Sequence, residues 1–124
     1  MSIYKTRWFS RWARKQGLDD SLLCQAVREI RGGLYDADLG GCLLKKRIGR
    51  PGQGKSSGFR TIVATRDGDL CFFLYGFAKN ERSSIDDDEE AALRAWADTL
   101  LNMSPAALAR AEDAGEVMKV DDNA

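Results

Sequence analysis

No histidine occurs anywhere in the 124-residue chain. The side chain that ordinarily moves protons near neutral pH is missing, so any acid–base step must fall to Lys, Arg, Tyr, Asp or Glu. Cysteine is scarce and odd in number: Cys24, Cys42 and Cys71 stand far apart, with no C-x-x-C pair. Zinc therefore lacks its usual ligands, and three isolated thiols fit a reducing cytoplasm in which they act as small core residues. No apolar run approaches the roughly 20 residues a membrane-spanning helix requires, and the opening MSIYKTRWFSRW lacks a signal-peptide core. A membrane partner is not expected. Net charge is also absent, with 19 Lys and Arg against 19 Asp and Glu. What remains is 44% hydrophobic and 31% charged, the balance of a soluble globule able to bury one core unaided. No repeat, low-complexity run or linker divides it. Residues 1–124 are read as a single domain, with a core over about 3–103 and a short C-terminal helix and tail over 104–124.

The neutral total hides a polarised distribution. Residues 1–85 hold sixteen Lys and Arg against eight Asp and Glu, whereas residues 86–124 hold three against eleven. This describes a basic working surface and an acidic segment that solubilises or screens it. The basic half is most concentrated in CLLKKRIGRPGQGKSSGFRTIVATR, from Cys42 to Arg66, with seven cations and no acid. Leu43-Leu44 and Thr61-Ile62-Val63 read as strands. Between them, the Pro- and Gly-rich run from Arg50 to Gly58 reads as a loop. Strands that hold a basic loop aim positive charge at phosphates.

Periodicity places the other elements. Met1–Lys5 is a strand candidate. Thr6 caps a helix over 7–16 that Gly17 ends, and Asp19 or Asp20 caps a second over 20–31, with Leu22, Leu23, Ala26, Val27 and Ile30 as its stripe. Trp8 and Trp12, four residues apart, are read as packing residues on the first helix, with base stacking as the alternative. Leu34–Gly41 is a polar connector. Strands follow at 42–48, 59–65 and 70–77, the last two joined by the hairpin signal Asp67-Gly68, and the third apolar on both parities and so buried on both faces. Asp86–Glu90 opens a helix to about Met103 as a run of dipole-matched acids, with Leu93, Trp96, Ala97, Leu100 and Leu101 packing inward. Ser104-Pro105 opens a last helix over 105–114, and Val117–Val120 is a candidate for a small final strand.

The phrases YKTRWFSRWARK, ADLGG, KKRIGRPGQGKSSGFRT and YGFAKNER, in this order of elements, resemble the RelE/ParE superfamily of toxins, and within it the RelE-type branch, over about residues 3–120. The resemblance implies an α+β, RelE-like fold. In it an N-terminal strand and two-helix hairpin pack on a small, mainly antiparallel sheet of about four strands, with C-terminal helices. It implies a toxin of a type II toxin–antitoxin system, active in the cytoplasm without a cofactor. Its partners are a cognate antitoxin, a small helix-turn-helix protein in many relatives, and mRNA on the ribosome. The activity implied is cleavage of that mRNA by attack of a ribose 2′-OH on the adjacent phosphorus. This requires a base, cations for the oxyanions and an acid for the leaving oxygen. A cluster of like charges favours a neutral lysine base. Lys45 or Lys46 is the expected base. Arg47, which shares a strand side with Lys45, and Arg60, which matches the family's phosphate-binding arginine, are the expected oxyanion stabilisers. Lys79 or Arg82 is the expected acid or clamp. Arg50 and Lys55 of the loop, with Phe59, Tyr75 or Phe77 as stacking rings, are expected to hold the RNA. The tyrosine that acts near the C-terminus of the best-known members has no counterpart, since Ser83-Ser84-Ile85 stands there. Two other classes are open at this level: a ParE-like gyrase poison, which breaks DNA and leaves mRNA intact, and a catalytically silent module that binds RNA or antitoxin.

Overall fold

The computed structural model of the chain describes residues 1–50, 58–67 and 69–121. β1 (Ser2–Thr6) runs straight into α1 (Arg7–Gln16), and a short turn leads to α2 (Asp20–Arg31). Thr6 makes the first junction. Its hydroxyl oxygen accepts from Phe9 N at 3.2 Å, capping α1, and donates to Leu74 O at 3.2 Å. Gly17, at φ +76°, ends α1, and Asp19 caps α2 by accepting from Leu22 N at 3.0 Å.

The remaining elements are β2 (Ala37–Gly40), β3 (Leu43–Ile48), β4 (Phe59–Arg66), β5 (Leu70–Ala78), α3 (Asp87–Leu101), α4 (Pro105–Asp113) and β6 (Val117–Lys119). The strands form one sheet in the order β2-β3-β4-β5-β1-β6. All neighbouring pairs are antiparallel except β1 with β5, which is parallel. Six strands replace the four or so expected. The extra one at the β3 edge is β2, read from sequence as connector because Ala37-Asp38-Leu39-Gly40 carries no strand pattern of its own. Pairing with β3 is what makes it a strand. The other addition is β6, which brings the C-terminal segment into the sheet beside β1.

Helices lie on both faces. Phe9, Ala13, Leu23, Val27 and Ile30 of α1 and α2 meet Leu44, Ile48, Phe59, Val63, Phe73 and Ala78. On the other face, Leu93, Ala97, Leu100 and Leu101 of α3 and Ala111 of α4 meet Leu43, Ile62, Ala64, Phe72 and Leu74. β4 and β5 are buried on both sides, as the doubly apolar third strand required. Ala111, Val117 and Val120 are buried too, and Val120 N donates to Ile3 O at 2.8 Å. The core therefore extends well past the expected limit near residue 103. Trp96, expected to point inward, lies on the surface of α3 at 38% exposure.

The register of β5 contains one irregularity. Ile62 pairs with Tyr75 but Val63 pairs with Phe73, which leaves Leu74 as an extra residue. Such a bulge reverses which face later side chains occupy. Phe72, Leu74, Tyr75 and Phe77 consequently share the α3 face. Gly76 points to the opposite face, where the Trp12 ring lies directly on it. A Cβ at Gly76 would stand 2.3 Å from that ring. The Gly76→Ala protein is expected to be destabilised by about 1–3 kcal/mol through overpacking, read as a lowered thermal midpoint. The Gly76→Ala/Trp12→Leu double variant should lose less than the two single losses combined.

Candidate active site

Antiparallel register aligns two rows of side chains across β3, β4 and β5 on the α3 face. One row is Lys45, Ile62 and Tyr75; the next is Arg47, Arg60 and Phe77. α3 covers the adjoining apolar row of Leu43, Ala64 and Phe72, so the cationic rows begin where the helix cover ends. Lys45 is half-buried and Arg47 is exposed. Arg60, on β4 directly opposite Arg47, is only 8% exposed. Among the described residues, its Nη1 is the one buried side-chain polar atom without a hydrogen-bond partner. A buried guanidinium N–H left unsatisfied is costly, and an anionic oxygen is the group that would satisfy it.

The surrounding charges divide into held and free. Arg47 pairs with Asp36, Nε to Oδ1 at 3.2 Å. Lys45 and Lys79 make no ion pair among the described residues. Lys79 stands exposed just after β5, and its backbone N–H donates to Gly58 O at 3.3 Å, tying it to the start of Arg60's strand. Arg82 is fully engaged. Its Nη1 and Nη2 grip the Glu89 carboxylate in fork fashion, Nη1 at 2.9 Å, and its Nε donates to Ser84 O at 2.9 Å. Its guanidinium lies 5.5 Å over the Phe77 ring and 3.5 Å from Tyr75 Oη. Glu89 also closes a capping box with Asp86 at the start of α3. These bonds, the one from Arg82 foremost, hold the Glu89 carboxyl at about 2 and raise Arg82 above its usual value. Arg82 is thus a strut between the end of β5 and α3. Of the two roles expected of it, acid or clamp, the pairing disfavours the acid, since a guanidinium held by a carboxylate gives up its proton less readily.

Other expectations change with the fold. Lys46, offered with Lys45 as base, points to the α2 face, 2% exposed, with Nζ 2.7 Å from Glu29 Oε1. Neighbours on a strand face opposite ways, so Lys46 and Arg60 do not share a site. Phe59 is wholly buried on the α2 face and Phe77 is 3% exposed beneath Arg82. Neither ring is open to a base. Tyr75 is half-buried, with its ring stacked on Trp8 at 4.5 Å. Arg50 lies over the edge-packed Phe59 at 4.6 Å. Lys55 lies outside the described residues, as does Gly68 of the hairpin signal. The structure therefore brings together Lys45, Arg47, Arg60 and Tyr75, with Lys79 at the rim and Arg82 as brace.

One participant escaped the sequence reading, and another was read in a different role. Asp36, the partner of Arg47, sits in what read as connector. Trp8 read as packing, but the buried stripe of α1 is Phe9, Ser10 and Ala13, and Trp8 lies beside it at 43% exposure. The cations Arg7, Arg11 and Lys15 on its other flank were the available signal that this flank meets solvent. Among the described residues, no group of three or more His, Cys, Asp and Glu side chains is placed to hold a metal ion, and no helix is long and apolar enough to cross a membrane.

Residues 1–120 match the family model described as the RelE toxin of the RelE/RelB toxin–antitoxin system. No curated protein matches the chain.

The opposite situations of Arg60 and Lys46 predict opposite stability effects. Arg60→Met is expected to leave the fold intact and raise its stability by about 1–3 kcal/mol, because an unsatisfied buried donor is removed. Lys46→Ala is expected to lower stability by a similar amount, since the buried ion pair with Glu29 is lost; paired denaturant titrations measure both. The low Glu89 value predicts a pH effect. With a folded value of about 2 against 4.5 for the free side chain, the Arg82–Glu89 pair contributes fully above about pH 4.5 and is lost as pH falls toward 2. Wild type should unfold at higher denaturant than Glu89→Gln at pH 6, and this advantage should shrink between pH 4.5 and 2.

Proposed function

The chain belongs to the RelE toxin family, and on that footing we propose that it is a ribosome-dependent mRNA endoribonuclease that cuts without a metal ion. As a toxin of a toxin–antitoxin system it has a cognate antitoxin as its partner. The observation that carries the catalytic reading is Arg60, a buried cation with an unpartnered Nη1, directly opposite Arg47 and one row from Lys45.

The roles follow from position. A scissile phosphate placed at Arg60 offers its non-bridging oxygens to the unpartnered Nη1 and to Arg47 on the neighbouring strand. Charge that builds on those oxygens as the 2′-oxygen attacks phosphorus is met by donors already in place, which is where preorganised electrostatics contributes most. Lys45, one row away and with no acidic partner among the described residues, takes the proton from the 2′-OH. Lys79, at the rim beyond Phe77, returns one to the 5′-oxygen as the phosphorus–oxygen bond breaks, leaving a 2′,3′-cyclic phosphate. Arg82 keeps the β5 end and the α3 start at fixed separation around this row. The absent C-terminal tyrosine leaves these lysines as the proton carriers. A codon held unpaired on the ribosome supplies the single-stranded substrate such a site requires.

Induction of the wild type is expected to arrest growth and to create new mRNA 5′ ends within coding sequence, whereas Arg60→Ala does neither. Lys45→Ala should slow cleavage about 10²- to 10⁴-fold, the usual worth of a positioned base. Equal toxicity of wild type and Arg60→Ala without new ends overturns the proposal. DNA breaks with intact messages would put the gyrase reading in its place.

A further inference from the structure

The three rings expected to receive a splayed base are all engaged: Phe59 and Phe77 by burial, and Tyr75 by Trp8. The platform they were meant to provide exists one ring further out. Trp8 stacks on Tyr75 with centroids 4.5 Å apart and planes 27° apart, and Tyr75 in turn lies 6.3 Å from Phe77, the strand partner of Arg60. Tyr75 is two residues from Phe77, about 7 Å along the strand, and Trp8 lies one ring beyond it. The series of rings runs from the phosphate-binding row to the surface of α1.

That surface is cationic. Arg7, Arg11 and Lys15 recur every four residues beside Trp8 and Trp12, and these five line one shallow cavity of about 420 Å³. Residues 1–18 contain no Asp or Glu. Arg7 donates to Ala114 O and Gly115 O, each at 2.9 Å, whereas Arg11 and Lys15 make no ion pair among the described residues. The indole is braced by Tyr75 and lies nearly parallel to the Trp12 ring, with centroids 6.2 Å apart; with 43% of its surface still open, it meets a base without first having to be ordered. Aromatic faces beside unneutralised cations are the elements of single-strand recognition.

We infer that Trp8 is the stacking platform for an unpaired base flanking the scissile phosphate, with Arg11 and Lys15 following the RNA backbone across α1. This rests on the RNA-cleavage reading of the Arg60 row, and makes Trp8 a positioning residue that acts on how the message lies.

The test uses the full chain and a fluorescein-labelled single-stranded RNA oligonucleotide, 2′-O-methylated throughout to block attack, in anisotropy titrations at low salt. Companion oligonucleotides carry an abasic residue at each position in turn. Trp8→Ala is expected to weaken binding about tenfold, and Trp8→Phe to restore most of it. One abasic position should cost the wild type a similar factor and cost Trp8→Ala nothing more. Arg11→Ala and Lys15→Ala should each flatten the salt dependence of binding. If Trp8→Ala binds as the wild type does while Arg60→Ala loses affinity, the platform is refuted and the reading of the Arg60 row stands. If Trp8→Ala is weakened equally on every abasic oligonucleotide, its role is structural and the platform is again refuted. If wild type and Arg60→Ala bind equally, both inferences fall.

Discussion

The pairing register of β3, β4 and β5 determines which cations can act together. Side chains alternate across a sheet, so a slip of one residue would exchange Lys45, Arg47 and Arg60 for Lys46, Ile48 and Thr61 on the α3 face. Apolar residues on both faces forbid that slip: Leu44, Val63 and Phe73 are matched to α1 and α2, and Leu43, Ile62 and Leu74 to α3 and α4. Burial on two sides therefore fixes the chemistry on one. The bulge at Leu74 completes the arrangement, since without it Tyr75 and Phe77 would face α2. Thr6 Oγ donates to the carbonyl of the bulged residue, so the hydroxyl that starts α1 also satisfies the irregular strand beside it.

Electrostatics divides along the same faces. Lys46 and Arg60 are both buried cations on adjacent strands, yet among the described residues only Lys46 has a carboxylate to compensate it. On the α2 face the buried charge is neutralised. On the α3 face Arg47 is paired with Asp36, but the buried Arg60 is left wanting an anion, a local cost of the kind that is retained at the expense of stability where a site has a use for it. Arg82 shows the third possibility. Its guanidinium is spent on Glu89, and the energy goes into joining β5 to the capped end of α3 rather than into the substrate.

The N-terminal segment does more than cover the sheet. β1 pairs with β5 only as far as Phe73; beyond that point the chain turns into α1 and the outer half of β5 is flanked by helix. This is why Trp8 meets Tyr75, and why the basic surface of α1 adjoins the Arg60 row although more than thirty residues separate them in sequence. The acidic run that balances these charges is confined by its capping role to the first turn of α3.

By itself the sequence determined the local elements. Both N-terminal helices, the three meander strands, the caps at Thr6 and Ser104, the second helix's cap to within the pair Asp19-Asp20, the acidic opening of α3 and the doubly buried β5 follow from periodicity and terminator residues, because these depend on neighbours three or four positions away. The acid-free cationic stretch and the candidacy of Lys45, Arg47 and Arg60 were equally legible. Tertiary structure alone decided the rest. β2 exists only because β3 offers it an edge, Lys46 turns away because alternation is referred to a core that spans distant residues, and a single unpaired Leu74 re-aims two aromatics. Trp8 could not be distinguished from Trp12 by spacing, since both lie on one side of α1 and only the end of β1 determines which indole is left at the rim.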